Sequence, residues 1–195
     1  AAATPTILTK ALADRASELR NVEVCHLHTE GEAPYADPEL AESFHVNSFF
    51  IGANVRHTLK AGNGSYTPVF LSELPLLFRK NVVKLDVAFI HVSPPDSHGY
   101  CSLGVSVEAS VAAIENAKIV IAQVNPSMPI TYGQAFIHKD QIHAYFYAEQ
   151  PIAQMPAVKL DAVTERVGQY VSLLVEDGAT IQIGVGKMCD AVLRY

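Results

Sequence analysis

The chain has 195 residues, 49% hydrophobic and 17% charged, with 14 Lys+Arg against 20 Asp+Glu and a formal net charge of −6. That is enough chain for one domain with a real core, or at most a domain plus part of another, too apolar for a disordered segment, and too acidic to favour nucleic-acid binding, which needs a basic stripe. No apolar run approaches the ~20 residues that span a bilayer, and "AAATPTILTKALADR" lacks the basic-then-apolar layout of a signal peptide.

In chain order, Pro5–Leu19 carries apolar residues at helical spacing (Ile7, Leu8, Ala11, Leu12, Ala16, Leu19). Thr4 is the expected N-cap, and Pro5 suits the first turn, where its missing N–H costs nothing. "NVEVCHLH" (21–28) alternates and reads as a strand. "EGEAPYADPEL" is a loop entering a short helix, and "NSFFIG" (47–52) a strand. "ANVRHTLKAG" is a helix stopped by Gly62, "YTPVF" a short strand, and "LSELPLLFRK" a short helix or turn. Leu85–His91 is the next strand. It ends abruptly in "HVSPPDSHGYCSLG", a dense run of turn residues at the end of a core strand. "SVEASVAAIENA" is an Ala-rich helix. "KIVIAQV" (118–124) is continuously apolar, as expected of a strand buried on both faces. "NPSMPITYGQAFIH" is a second polar, proline-rich loop, and "QIHAYFYA" an extended segment. Leu160–Leu174 is a helix, "ATIQIGVG" (179–186) a strand running into Gly-x-Gly, and "KMCDAVLRY" the start of a helix.

Strands alternating with helices indicate an α/β fold: an open, mainly parallel sheet with flanking helices. The first helix has no preceding strand and the last has only about two turns, so the chain reads as part of a larger protein. In such sheets ligands bind beyond the carboxyl ends of the strands. That makes the loops after Ile90 and Val124 the places to look, and both are expected on one edge.

The single motifs are weak taken one at a time. Cys25, Cys101 and Cys189 are far apart with no CxxC, so they read as reduced thiols of a cytosolic-type compartment and not as zinc ligands. "NGS" at Asn63 matches a glycosylation sequon but reads as a loop. "HLH" puts His26 and His28 on one strand face with no carboxylate spaced to complete a metal site; buried or loop histidines are the reading. Glu30, Glu32, Glu73 and Glu108 lie in or beside loops or short helices, and none is marked as a nucleophile. "AATPTIL" opens a helix with small residues, and ordinary capping accounts for it. Gly184 and Gly186 stand between a strand and a helix, where free N–H groups attract anions, although tight strand-to-helix turns use glycine anyway. There is no G-x-S-x-G elbow and no P-loop.

Together, "SFFIGANVR…YTPVFLSELPLLF", "HVSPPDSHGYCSLGVSVE", "NPSMPITYGQAFIH" and "IQIGVGKMCDAV" resemble, in this order, the acetyl-CoA hydrolase/transferase family. That family includes 4-hydroxybutyrate CoA-transferases, butyryl-CoA:acetate CoA-transferases and acetate-producing succinyl-CoA transferases. The resemblance covers nearly the whole chain. It implies that residues 1–195 are the amino-terminal CoA-transferase domain of such an enzyme, lacking its first strand and the second catalytic half, with a fold of the CoA-transferase type. The implied reaction moves CoA between an acyl-CoA and a short-chain carboxylic acid through an acyl-glutamyl anhydride and a glutamyl-CoA thioester, with ping-pong kinetics. The nucleophilic Glu is expected beyond Tyr195, so no catalytic residue falls in this segment, which alone should be inactive. By position, Gly184, Val185, Gly186, Lys187 and Met188 match the family's CoA-contacting turn. "KMCDAV" departs from the small residue, apolar residue and Pro that many relatives place before "DAV". Lys187 then either pairs with a CoA phosphate or is solvated. Ser93, Pro94, Asp96, His98, Asn125 and Gln134 are implied to shape the acyl or carboxylate side of the pocket, although Asp96 and His98 also suit a purely structural turn. The resemblance further implies CoA or acyl-CoA as substrate, no permanently bound cofactor, no metal, a carboxy-terminal half as partner, a homo-oligomer (dimer), and a cytoplasmic location. The alternatives are an acyl-CoA hydrolase on the same scaffold, a non-catalytic acyl-CoA-binding module and, on fold alone, a sugar-phosphate isomerase.

Overall fold

The computed structural model describes residues 3–154 and 159–195. The chain divides into two compact units, Ala1–Ala153 and Gln154–Tyr195.

The first unit contains two three-stranded sheets, both wholly parallel. The first pairs β1 (Val22–His26), β2 (Phe44–Ser48) and β3 (Gly64–Tyr66) in the order β1-β2-β3. The second pairs β4 (Val87–Val92), β6 (Ile119–Val124) and β8 (Ala144–Tyr147) in the order β4-β6-β8. A small antiparallel ribbon joins β5 (Tyr100–Ser102) to β7 (Phe136–His138). The helices are α1 (Thr6–Asp14), α2 (His57–Ala61), α3 (Leu74–Arg79) and α4 (Ser110–Asn116). The mixed α/β class with mainly parallel sheets and flanking helices is as expected.

Alternation in the strands divides their side chains between packed faces. Ile90, Val92, Val120, Ala122 and Val124 form a core under the second sheet, with Leu103, Ile114 and Ile137 against it. Tyr35, Phe44, Val46 and Val55 form another under the first sheet. A third cluster holds Phe49, Leu74, Phe78, Ala109 and Ala112, with Cys25 and Leu27 packed on it. It brings the ends of β1 and β2 against α3 and α4, which an Arg79–Glu115 pair at 2.9 Å also links. Burying a side chain of the Val, Leu or Phe type contributes about 1.5–3 kcal/mol, so these clusters hold the sheets together.

Several boundaries differ from expectation. The strand expected over 47–52 starts at Phe44 and ends at Ser48, because it pairs from Val22↔Phe44 to His26↔Ser48. Asn63 is buried and passes its carbonyl to Val46, so "NGS" opens a paired strand and is no exposed loop. Gly62 does stop α2, at φ 85°. Pro5, not Thr4, is the N-cap residue of α1; the Thr4 hydroxyl accepts the Glu30 N–H at 2.9 Å. Ala2, from "AATPTIL", lies outside the described residues. "KIVIAQV" is buried at its carboxyl half, but Ile119 is exposed.

The second unit packs α5 (Ala162–Ser172) on α6 (Lys187–Leu193). Asp161 caps α5, accepting from the Thr164 N–H at 2.8 Å and the Thr164 hydroxyl at 3.0 Å. The strand expected over 179–184 is not formed. A strand exists only where a neighbour takes its N–H and C=O groups, and among the described residues no ladder pairs with this stretch.

Candidate functional site at the carboxyl edge of the second sheet

β4 and β6 run in parallel register to Val92↔Val124, and the Asn125 N–H donates to the Val92 carbonyl at 2.8 Å. The loops after both strands therefore leave the same edge. This follows from the shared direction of parallel strands, and it places Ser93, Pro94 and Asn125 side by side at that edge.

Each of these side chains is held by the backbone. The buried Ser93 hydroxyl accepts from the Ser102 N–H at 2.8 Å and donates to the Pro94 carbonyl at 3.0 Å. Asn125 is wholly buried. Its amide donates to the Gln150 carbonyl at 2.8 Å, and its oxygen accepts from the N–H groups of Ser127 (3.0 Å) and Gln150 (3.2 Å). Asp96 lies at the exposed tip, where one carboxylate oxygen accepts from the Tyr100 N–H at 2.8 Å and the His98 N–H at 2.9 Å. The Tyr100 N–H, with His98 adding to it, holds this carboxyl below the usual aspartate range. Asp96 thus pins the turn that feeds β5, and Gly99 completes it at φ +87°. A Cβ at Gly99 would come within 2.7 Å of His138 Nε2. His98 is exposed and offers its carbonyl to that His138 ring at 3.2 Å. Gln134 is exposed on the loop before β7.

Residue reasoning missed the ribbon that ties the two loops together. Ser102 is buried on β5, and its hydroxyl accepts from the N–H groups of Gly104 (3.0 Å) and Thr131 (3.1 Å). Thr131 returns a bond to the Gly104 carbonyl at 2.8 Å. The available signals were "YCS" and "AFIH", each too short to separate from loop by period alone.

A cleft of about 170 Å³ lies beside this edge, lined by Thr4, His26, His28, His91 and Glu108 among others. His28 Nε2 is 2.6 Å from Glu30, and Glu108 accepts from the Ser106 hydroxyl at 2.9 Å. Burial, then the neighbouring His28, pushes His26 down to about 4. Burial, with Glu23 adding to it, pushes the Cys25 thiol up to about 11. A thiol so raised is a poor nucleophile. Among the described residues, no group of three or more His, Cys, Asp or Glu side chains is placed to hold a metal ion.

In the second unit the glycine turn is open. Gly184, Val185, Gly186, Lys187 and Met188 are all exposed. Gly186 sits at φ 144°, immediately before α6, a conformation open to glycine alone. The exposed Lys187 ammonium pairs with Asp161, holding that carboxyl far below the aspartate range.

The family model for the acetyl-CoA hydrolase/transferase N-terminal domain matches residues 1–173. The chain belongs to this family. It is 45% identical over 195 residues to a succinyl-CoA:acetate/propanoyl-CoA:succinate CoA transferase of Fasciola hepatica, covering 98% of this chain and 40% of that protein. It is 38% identical to a 4-hydroxybutyrate coenzyme A transferase of Clostridium kluyveri, covering 98% of this chain and 44% of that one. Among solved structures, a 4-hydroxybutyrate CoA-transferase from Porphyromonas gingivalis matches at a TM-score of 0.80 and 35% identity, over 100% of this chain and 44% of that one. RipA from Yersinia pestis matches at 0.87 and 30%, over 98% of this chain and 47% of that one. The chain therefore spans less than half the length of these relatives and aligns with their amino-terminal half.

Proposed function

We propose that this chain is the amino-terminal half of an enzyme that transfers coenzyme A between an acyl-CoA and a short-chain carboxylic acid. The observation that carries this reading is the family match over residues 1–173, together with relatives whose names are those of CoA transferases. In this reading a Glu outside the chain attacks the thioester carbonyl, giving an acyl-glutamyl anhydride and CoA thiolate. The thiolate returns to form a glutamyl-CoA thioester and releases the carboxylate. An incoming acid takes the CoA by the reverse route, so one hard transfer becomes two easier ones. The carboxylates of this chain suit supporting roles: Glu30 is engaged by His28, Glu108 by Ser106 and Asp96 by the turn it holds.

The residues assigned here are Gly184–Met188 for CoA, and Ser93, Pro94 and Asn125 for the acid side, with Asp96 shaping the loop. Ser93 and Asn125 act through the backbone they fix, since their own hydrogen bonds are already made. The Lys187 ammonium is exposed and paired with Asp161, and its further N–H donors can meet a CoA phosphate.

The test uses the full-length polypeptide with acyl-CoA and a panel of carboxylic acids. Acid-dependent transfer with ping-pong kinetics and a trapped glutamyl-CoA adduct is the expected result. CoA release at the same rate without acid would make it a hydrolase, and acyl-CoA binding with no adduct would make it a binding module. Gly186→Val in the same polypeptide is expected to slow adduct formation about tenfold or more, with stability lowered by no more than the roughly 1–3 kcal/mol of a strained turn. A Cβ at Gly186 meets nothing within 4 Å inside the chain, but its φ of 144° is one that L side chains rarely adopt, so Gly186→Ala, which carries the same strain with less bulk, is the control: a larger loss of activity in the Val variant reports on space for the ligand. Normal adduct formation in the variant would remove this turn from the site.

A further inference from the structure

The loops after β4 and β6 leave one edge of the second sheet, and one residue is bonded to both. Ser102 is wholly buried on β5. Its N–H donates to the Ser93 hydroxyl at 2.8 Å, and its carbonyl accepts the Ser93 N–H at 2.9 Å. These two bonds close the first loop onto the end of β4. Its hydroxyl oxygen accepts the Gly104 N–H at 3.0 Å and the Thr131 N–H at 3.1 Å. Gly104 follows the first loop and Thr131 lies in the second, so one oxygen holds both.

The contacts around it are of the same kind. The Thr131 hydroxyl donates back to the Gly104 carbonyl at 2.8 Å, and the Leu103 N–H donates to the Ala135 carbonyl at 2.7 Å. Met128 of the second loop is buried and lies over Gly104, where an added Cβ would come within 2.2 Å of its Sδ. By contrast, Ser93 bonds within the first loop and its ribbon, and Asn125 is anchored to Gln150, past β8. Ser102 and Thr131 therefore bond across from one loop to the other, at the edge where parallel sheets bind ligands.

A serine hydroxyl has two lone pairs and one proton. Here two backbone N–H groups take the lone pairs, and the Thr131 carbonyl and hydroxyl oxygens, both at 3.5 Å, are within reach of the proton. That leaves Ser102 nothing with which to attack a carbonyl or to accept a proton. What it can do is set the spacing of the two loops.

We propose that Ser102 is a positioning residue: bonded to both loops, it fixes the width of the acid side of the site and so selects among carboxylic acids. The inference rests on the transferase reading above and names the residue that sets its selectivity. One methylene in an apolar pocket changes kcat/KM by roughly 10–200-fold, so a small shift of one loop is readable in the choice of acid. Contact energy falls steeply across a gap, so a widened site loses its hold on a small acid before a larger one.

The test uses the full-length polypeptide with saturating propanoyl-CoA and either acetate or butyrate as acceptor. Ser102→Ala is expected to raise KM for acetate about tenfold and KM for butyrate less, with kcat for both kept within about threefold. The Gly104 and Thr131 amides should exchange faster in this variant. Thr131→Val keeps the backbone bonds to Ser102 and loses only the bond to the Gly104 carbonyl. It should move the acetate-to-butyrate ratio the same way by a smaller factor, and it carries the test if Ser102→Ala folds poorly. The double variant should move the ratio no further than Ser102→Ala alone, because both act through one clamp. An unchanged ratio in both single variants, or an equal fall in kcat for both acids with KM kept, would overturn the proposal. Titration calorimetry of the two acids into the same proteins separates this failure from that of the transferase reading. If the unaltered protein binds acetate without turnover, the transferase reading falls, and the clamp stands only if Ser102→Ala weakens acetate more than butyrate. If neither acid binds, both fall.

Discussion

His26 is a buried imidazole kept neutral, and this gives the fold a pH dependence with a defined sign. Its ordinary value is 6.5, and burial followed by His28 lowers it to about 4 in the folded chain. Between those values the unfolded chain binds more protons than the folded one, so stability falls as pH drops through the window from 6.5 to 4. The loss attributable to His26 is roughly 3 kcal/mol across it. His91 is shifted the same way by its own burial, so a single substitution separates the two. His26→Gln is expected to reduce the fall in Tm between pH 7 and pH 4.5; an unchanged pH slope would refute it. Cys25 offers a companion measurement. A thiol at about 11 in place of 9.0 has its thiolate population cut roughly 100-fold, so iodoacetamide at neutral pH should label Cys25 in the folded 195-residue chain far more slowly than after denaturation. Equal rates would contradict the burial argument. At this scale the sequence was partly readable. "HLH" reads as buried or loop histidines, and the structure has one of each kind: His26 ends β1 with its ring nitrogens buried, and His28 lies beyond the strand against Glu30. Thr4 is misread because a cap and a tertiary anchor present the same hydroxyl before the same helix, and only the position of Glu30 separates them.

Among the elements, the long paired strands of the second sheet were legible, and the short paired ones were not. β4 and β6 are long apolar runs that pair over six residues, so period and length agree. The ribbon β5–β7 pairs over three residues contributed by two separate loops, and neither loop carries the pattern alone. "ATIQIG" shows the opposite failure: its alternation is a strand signal, but pairing decides, and a pattern cannot supply a neighbour. Helix packing has a similar dependence on one small residue. Gly168 is buried in α5 against α6, where an added Cβ would lie 2.5 Å from the Ala191 carbonyl oxygen and 2.9 Å from its Cβ. Gly168→Ala gains helix propensity but must push the helices apart, at about 1–3 kcal/mol for overpacking. The contact term is the larger, so the net effect is destabilising. It is expected as faster amide exchange in α5 and α6 with unchanged exchange in β4 and β6. Slower exchange in α5 would show that propensity wins.

For the whole chain, the distribution of core and bare surface matters more than any single contact. The first unit has three buried clusters, whereas in the second the buried positions of α5 and α6 are Thr164, Gly168 and Ala191. Leu173 is 80% exposed, Leu174 81% and Val185 96%. A unit as short as residues 154–195 rarely stabilises itself without disulfides, metals or a partner surface, and bare large hydrophobic groups mark a surface that something covers. The shared ion pairs do not change this balance, because Lys187–Asp161 and Arg194–Glu165 are both exposed and such pairs add little. The curated relatives are more than twice as long as this chain, and a partner region of that kind is the cover proposed here. Limited proteolysis of the 195-residue chain is therefore expected to cut first within residues 159–195 and leave a resistant fragment containing β1 to β8. In the full-length polypeptide the same region should resist as long as the first unit does, because its leucines are then buried and local opening costs more. Equal resistance of both units in the 195-residue chain would mean that the helix pair is stable by itself, and the need for a covering surface would fall with it.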